Sequence, residues 1–132
     1  MAYQRWIHSN TSVFNIGYYL IWCPKYRRKM LVGDVEIRLK ELLYEKAEEI
    51  DVQIAKLEIM PDHIRAFVKT WPINAPHYIV RQLKSYTARV LRLEFPHLLK
   101  MPSLWTRSYY CESVGHISEK TIMKYIEEQK NK

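Results

Sequence analysis

Two segments of alternating apolar and polar residues, separated only by a tight break, constrain the fold of this chain most strongly. Residues 52–59 alternate with one phase slip near Ala55, and residues 63–69 follow the Pro61-Asp62 break directly. Alternation with a period of two is typical of a strand. A Pro-Asp pair between two such runs favours a turn. The sequence therefore predicts a β-hairpin.

Apolar residues at helical spacing lie on both sides of this hairpin. Before it, the pattern predicts a helix that begins with Asp34 as N-cap and ends near Ile50. After it, a second helix is predicted over residues 77–94, with Pro76 at the first helical position. The hairpin thus connects two amphipathic helices.

Residues near both ends of the chain complete the pattern. β-Branched and aromatic residues predict strands over 13–23 and 104–114, and Ser118 is the predicted N-cap of a final helix over 119–130. The order β-α-β-β-α-β predicts an α+β fold of the ferredoxin-like, split βαβ type. We expect one domain over residues 1–132, with a four-stranded antiparallel sheet, two helices on one of its faces and an additional C-terminal helix that carries a tyrosine.

Composition narrows the class of partner. The chain has 132 residues, a formal net charge of +7 and 48% hydrophobic residues, which favours a folded protein with a polyanionic partner such as nucleic acid. The sequence shows neither a secretory signal nor a run as long as a membrane span, so we expect a cytoplasmic protein without membrane association. Cys23 and Cys111 are isolated, which does not support a zinc cage.

Basic residues that could hold phosphates are interleaved with aromatic residues that could stack on bases. The basic candidates are Lys25, Arg27, Arg28, Lys84, Arg89 and Arg107. The aromatic candidates are Tyr26, Tyr86, Trp105, Tyr109 and Tyr110. A solvated basic surface that keeps the protein in solution is the alternative interpretation.

Tyr125, Gln129 and His63 could carry chemistry. Tyr125 and Gln129 are four residues apart and share one face of the predicted final helix. A tyrosine can act as a covalent nucleophile, a glutamine oxygen can bind a hard cation, and a histidine entering a strand can complete a metal site. A packed helical tyrosine and a hydrogen-bonded turn histidine remain open as alternatives.

Five segments in chain order resemble the single-tyrosine HUH transposases, the small transposases of the simplest insertion sequences. The resemblance runs from about residue 12 to the end of the chain. Its segments are YYLIWCPKYRRK at 18–29, EIMPDHI at 58–64, LKSYTAR at 83–89, LWTRSYY with SVG at 104–115, and YIEEQ at 125–129.

This resemblance implies an enzyme that cuts and rejoins single-stranded DNA at hairpin-marked transposon ends through a 5′-phosphotyrosine intermediate. It implies Mg²⁺ or Mn²⁺ as cofactor, held by a His-hydrophobic-His pair and a glutamine of the tyrosine helix. It also implies a homodimer, in which the tyrosine helix of one protomer can complete the site of its partner. Carried over to this chain, Tyr125 is the nucleophile, and His63 and Gln129 are metal ligands.

The chain departs from the family pattern at one position. Arg65 stands where the second histidine is expected, and an arginine offers no lone pair to a metal. Three explanations remain open: Asp62 supplies the missing ligand, Arg65 itself binds the DNA phosphate, or this copy is catalytically impaired but still binds DNA.

Two other classes of function compete with a transposase. One is a non-catalytic single-stranded nucleic-acid-binding protein of the same fold. The other is a ferredoxin-like protein that binds a small molecule, in which case the basic charge would be incidental.

Overall fold

The computed structural model describes residues 16–71 and 73–115, and the elements named here all lie within them. The strands and helices are β1 (Ile16–Trp22), α1 (Gly33–Glu49), β2 (Gln53–Met60), β3 (His63–Thr70), α2 (Pro76–Glu94) and β4 (Tyr110–Gly115). Short 3₁₀ turns lie at Lys25–Arg27 and Pro96–Lys100.

The described strands form one antiparallel sheet with the spatial order β2-β3-β1-β4. This order, with α1 and α2 as the connecting helices, is the ferredoxin-like arrangement and confirms the predicted fold class. The hairpin is confirmed as well, because Met60 pairs with His63 and the register shifts between Ile54 and Lys56, where the sequence pattern slips. The predicted helix over 119–130 lies outside the described residues.

The two faces of the sheet differ in character. One face contributes apolar side chains to the main core against both helices. These side chains include Leu20, Trp22, Ile64, Ala66 and Val68. The opposite face carries a small second cluster built around Tyr19 and Phe67, together with His63 and Arg65 on the same strand as Phe67. Strand alternation thus places the candidate chemistry on the face opposite the main core.

The helices begin and end close to the predicted residues. Pro76 occupies the first turn of α2 as predicted, whereas the N-cap of α1 is Val32 rather than Asp34. Asp34 lies in the first turn instead, where its negative charge interacts favourably with the positive end of the helix dipole. None of the helices in the described part of the chain is long and apolar enough to cross a membrane.

The last strand begins later than the sequence pattern indicated. β4 starts at Tyr110 rather than at residue 104, because the preceding residues are engaged elsewhere. Trp105 forms an isolated bridge with Pro24, and its buried indole Nε1–H donates to Thr87 Oγ1 at 3.1 Å. Trp105 is therefore a core residue, and its prediction as a base-stacking residue was wrong.

Candidate active site and nucleic-acid interface

His63 lies at the corner of the β2–β3 hairpin, as the first residue of β3. The preceding turn is held by a hydrogen bond from the Leu31 backbone N–H to the carbonyl of Pro61 at 3.0 Å. His63 and Arg65 point to the same face of β3, with Cα atoms about 7 Å apart by strand geometry. This corner therefore presents a ring nitrogen and a guanidinium on the same face of the strand.

A chain of three side chains fixes the ring of His63. Arg27 Nη2 donates to Asp62 Oδ2 at 3.0 Å, and His63 Nδ1 lies 2.7 Å from Asp62 Oδ1. The hydrogen bond from His63, reinforced by the charge of Arg27, lowers the pKa of Asp62. An ionised carboxylate only accepts hydrogen bonds, so Nδ1 carries the proton. In the neutral imidazole, Nε2 then presents its lone pair away from Asp62.

The backbone that presents Arg27 is strained. Tyr26 and Arg27 are consecutive non-glycine residues with φ values of 60° and 50°. The left-handed region costs a non-glycine residue roughly 1–3 kcal/mol, and such residues often cluster at functional sites. Tyr26 is 68% exposed in this turn, and Lys25 Nζ lies 5.5 Å from its ring centroid. The corner therefore combines a fixed arginine with an exposed aromatic ring.

Three nitrogen atoms on this face of β3 are buried without a hydrogen-bond partner in the described structure: His63 Nε2, Arg65 Nε and Arg65 Nη1. Buried polar atoms are nearly always paired, so such a group calls for an explanation. Both side chains keep partial exposure, so solvent reaches the edge of the pair. The three atoms together offer one acceptor and two cationic donors to a ligand.

This donor set does not fit a divalent cation. Asp62 lies against Nδ1, on the opposite side of the imidazole ring from Nε2, so the two cannot ligate one ion in this arrangement. Arg65 adds a fixed positive charge where a second ligand is expected. Within residues 16–71 and 73–115, no group of three His, Cys, Asp or Glu side chains could hold a metal. His63 Nε2 is thus the single expected donor that the described part supplies.

Tyr125 and Gln129 both lie outside the described residues, so their predicted roles as nucleophile and ligand stay predictions. Asp62, the tentative third ligand, is instead positioned as the hydrogen-bond partner of His63.

A basic groove of about 470 Å³ lies between α2 and the segment that leads into β4. Its walls combine basic, hydroxyl and aromatic side chains. Its lining residues are His77, Val80, Arg81, Lys84, Ser85, Arg107 and Tyr109. Arg81 Nη2 donates to His77 Nε2 at 2.7 Å, and the rings of His77 and Tyr109 are 6.4 Å apart. This basic groove has the composition expected of a surface for a nucleic-acid strand.

Lys84 is held by backbone carbonyls at the wall of the basic groove. Its Nζ donates to the carbonyl of Thr106 at 2.5 Å and lies 3.4 Å and 3.5 Å from the carbonyls of Arg107 and Ser108. Burial lowers the pKa of its ammonium. The ammonium therefore fixes the path of the segment that presents Arg107, in addition to its predicted role toward phosphate.

The structure divides the predicted phosphate-binding residues among separate places. Lys84 and Arg107 meet in the basic groove, whereas Lys25, Arg27 and Arg28 lie in the turn after β1. Arg89 lies elsewhere, with its guanidinium 5.6 Å from the ring centroid of Tyr86. No comparison tests these binding roles, which stay predictions.

Sequence reasoning missed four of the seven residues that line the basic groove, among them His77 and Arg81. A signal was available, because residues 77, 81 and 84 recur at spacings of four and three and therefore share one face of a helix. Their proximity to Tyr109 and Arg107 depends on how α2 packs, which the spacing does not reveal.

Comparisons with known proteins show the family of this chain. The family described as "Transposase IS200 like" matches residues 12–129. The ISDra2 transposase TnpA of Deinococcus radiodurans is 35% identical over 123 residues, which cover 91% of this chain and 88% of that protein. The transposase for insertion sequence element IS200 of Salmonella typhimurium is 27% identical over 132 residues, covering 98% of this chain and 81% of that protein.

Solved structures extend the similarity to three dimensions. A crystal structure from Deinococcus radiodurans R1, described as a transposase, matches with a TM-score of 0.75 and 34% identity over 92% of this chain and 95% of that chain. A REP-associated tyrosine transposase bound to a REP hairpin shares the fold, with a TM-score of 0.60 and 10% identity over 82% of this chain and 61% of that chain.

The fold and these similarities define a transposase with a ferredoxin-like α+β fold. The chain belongs to the IS200-like transposase family.

Proposed function

We propose that this transposase cuts and rejoins single-stranded DNA at hairpin-marked ends of an insertion sequence, with Tyr125 as the nucleophile. The tyrosine hydroxyl attacks a phosphodiester, forms a 5′-phosphotyrosine link and releases a 3′-OH. The observation that carries the proposal is the His63 ring, held by Asp62 and Arg27 at the hairpin corner, in the segment that resembles the metal-site strand of the family.

The chemistry explains why such a site needs fixed charges. Attack on a phosphodiester adds negative charge to the nonbridging oxygens, which a cationic group stabilises. A tyrosine with an unperturbed pKa near 10 is a weak nucleophile and needs a hydrogen-bond acceptor for its proton. The phosphotyrosine bond conserves the energy of the broken bond, so rejoining requires no nucleotide cofactor.

Single-stranded DNA is the proposed partner. The basic groove and the basic turn after β1 both supply cations next to aromatic rings, Tyr109 in one and Tyr26 in the other. Base stacking on such rings tolerates any sequence, and nearby cations hold the backbone. The hairpin in the structure of the REP-associated transposase supports a hairpin as the form of the substrate.

We also propose a homodimer, as the family resemblance implies. The expected partner surface is an edge strand of the sheet or helix α1, and Ile37 and Tyr44 are exposed on α1 at 61% and 42%. A dimer would let the Tyr125 helix of one protomer act at His63 of the other. A monomeric mass in light scattering at micromolar concentration would contradict it.

The family resemblance implies Mg²⁺ or Mn²⁺, with His63 and Gln129 as ligands, and no comparison tests this implication. When bound, such an ion would supply charge stabilisation for the scissile phosphate. Because the described residues do not fit that ion, no step of the proposed function depends on it.

The test is a covalent-adduct assay. The full-length protein is incubated with a labelled hairpin oligonucleotide whose flanks come from the element that encodes the chain, in Mn²⁺ and separately in EDTA. We expect a protein–DNA adduct that mass spectrometry places on Tyr125 and that Tyr125→Phe abolishes. Tyr78→Phe, which removes the hydroxyl of a partly exposed helical tyrosine, is the matched control and should leave the adduct intact.

A second candidate is favoured by Arg65 at the position of the missing histidine. In that case the chain is a single-stranded DNA-binding protein that has lost strand cleavage. Hairpin binding by the wild-type protein without any adduct, unchanged in Tyr125→Phe, would favour this second candidate.

A further inference from the structure

We propose that the His63–Arg65 pair is a phosphodiester site that works without a divalent cation. In this site the Arg65 guanidinium takes the place of the ion toward the phosphate, and His63 Nε2 accepts the hydrogen bond of the attacking hydroxyl. This inference rests on the proposed function, because it assigns the binding of the scissile phosphate within the same site.

The unpartnered atoms match the two reactants. Arg65 Nε and Nη1 are buried donors without a partner in the described structure, and a phosphodiester oxygen is an anionic acceptor. His63 Nε2 is a buried acceptor, and a tyrosine hydroxyl must act as a donor before it attacks. A ligand that combines an oxyanion with a neighbouring hydroxyl would therefore satisfy all three nitrogens.

The orientation of His63 supports the acceptor role. Asp62 holds Nδ1 at 2.7 Å, and Arg27 holds Asp62 at 3.0 Å from the other oxygen. A base that is oriented by a carboxylate and faces the nucleophile with its second nitrogen is a recurrent solution for activating hydroxyl groups. Here Asp62 supplies the orienting carboxylate and His63 supplies the base, whose Nε2 faces away from Asp62.

The charged Arg65 side chain lies on the same face of the sheet as His63 and Tyr19. Arg65 lies across from Glu58 on β2 and Ile21 on β1. Burial raises the pKa of the neighbouring Tyr19 hydroxyl, and the charge of Arg65 opposes that rise while that of Glu58 adds to it. Glu58 offsets part of the positive charge, so the site favours a singly charged phosphodiester over a more highly charged anion.

The same charge disfavours a divalent cation. An ion bound at His63 Nε2 would lie beside a guanidinium that cannot lose its proton. Asp62, the carboxylate predicted as a metal ligand, is on the other side of the ring. Substitution of histidine by arginine at position 65 therefore exchanges the source of positive charge rather than removing it.

The proposed step balances. The tyrosine oxygen forms a bond to phosphorus, the bond from phosphorus to the 3′-oxygen breaks, and the hydroxyl proton passes by way of His63 to that 3′-oxygen. The products are a 5′-phosphotyrosine and a 3′-OH, and the reverse step rejoins the strand. No oxidant, reductant or nucleotide takes part.

Two measurements on the full-length protein test the inference. The first is Mn²⁺ binding, measured by electron paramagnetic resonance and by calorimetry. We expect no stoichiometric Mn²⁺ in the wild type, a site at least tenfold tighter in Arg65→His, and no such site in Lys69→His. Lys69 lies on the same face of β3, so Lys69→His matches the change in charge and residue type away from His63.

The second measurement is adduct formation in EDTA. We expect the wild type to react within about twofold of its rate in Mn²⁺, Arg65→Gln to lose at least 100-fold, and Arg65→Lys to fall between them. Arg65→Lys keeps the charge, so it also guards against a variant that fails only because it does not fold. A wild-type adduct that disappears in EDTA, or stoichiometric Mn²⁺ that His63→Ala removes, would overturn the inference and leave the proposed function intact.

If no condition gives an adduct, the proposed function fails and the phosphate site is judged by binding alone. Hairpin affinity in EDTA should then fall at least tenfold in Arg65→Gln and clearly less in Lys69→Gln. Equal losses of hairpin affinity in the two variants would mean that Arg65 contributes only its charge, as any surface lysine or arginine does, and would overturn the inference.

Discussion

Arg27 and Asp62 are 35 residues apart in the chain, yet their side chains form a hydrogen bond of 3.0 Å. This bond connects the turn after β1 to the corner of the β2–β3 hairpin. The Arg27 side chain is 66% exposed, so the pair by itself contributes only about 0–1 kcal/mol to stability. Its consequence is orientation: with one oxygen held by Arg27, Asp62 keeps the other on His63 Nδ1.

Replacing Asp62 with asparagine should damage the reaction much more than the fold. An amide can donate to Nδ1 and so favour the tautomer in which Nε2 carries the proton, which removes the acceptor. We expect adduct formation to fall by about 10²–10⁴-fold, the usual contribution of positioned proton transfer. The assay is the rate of adduct formation, with the His63 tautomer read from ¹⁵N NMR shifts.

Arg27→Gln is the milder variant for comparison with Asp62→Asn, because it leaves the Asp62–His63 hydrogen bond in place. Its effect should be smaller than that of Asp62→Asn, with the tautomer unchanged. Equal losses in both variants with an unaltered tautomer would show that the two residues act through DNA binding instead.

The double variant Arg81→Ala, Arg107→Ala should weaken DNA binding through charge alone. Both side chains are exposed cations of the basic groove. For single strands, the slope of log affinity against log salt changes by about 0.7 per phosphate contact, so removing two contacts should reduce it by about 1.4. Affinity would be measured by fluorescence anisotropy over a range of salt concentrations.

The matched control for this double variant is Lys40→Ala, Lys100→Ala, which removes the same net charge from exposed sites outside the basic groove. It should leave the salt slope nearly unchanged. A similar reduction in both double variants would mean that net charge, and not this groove, drives association.

Thr87→Val should destabilise the core although it changes the volume little. Thr87 Oγ1 accepts from the buried Trp105 indole N–H at 3.1 Å, and an unsatisfied buried donor costs about 1–3 kcal/mol. Urea unfolding would measure the loss. In a Trp105→Phe background, where no N–H remains, Thr87→Val should be nearly neutral, and an additive double-mutant cycle would refute the role of this bond.

The lowered pKa of Lys84 predicts a pH dependence of stability. Its ammonium loses the proton at lower pH in the folded protein than in the unfolded chain, whose ordinary value is 10.5. Between the two pKa values the unfolded chain binds more protons, so the free energy of unfolding contributed by Lys84 rises with pH and levels off above 10.5.

Urea unfolding from about pH 8 to pH 10 would show this rise as a growing difference between the wild type and Lys84→Met. Lys100→Met, at an exposed lysine, should give a constant difference over the same range. A constant difference for Lys84→Met as well would mean that its ammonium is not buried in the folded protein.

The sequence predicted those elements whose signals are local. The hairpin follows from period-two alternation around Pro61, and the shared face of His63 and Arg65 follows from the same period. The start of β4 could not be predicted, because it depends on Lys84 binding carbonyls 22 to 24 residues away and on the Pro24–Trp105 bridge.

Only the part of the candidate site that depends on local sequence signals was predicted. The position of His63 on its strand is local, whereas the orientation of Asp62 requires Arg27 to reach it from another turn. The basic groove depends on the packing of α2 against a segment without regular structure, and no spacing rule along one helix identifies its second wall.

The left-handed backbone at Tyr26 and Arg27 limits how this protein can evolve or be engineered. Glycine or asparagine would relieve the steric cost there, so a library screened for thermal tolerance alone should accumulate those residues at both positions. Each such gain at position 27 would discard the guanidinium that holds Asp62. Heat resistance therefore competes with the orientation of His63 at position 27, and a thermostable variant should be designed with Arg27 kept constant.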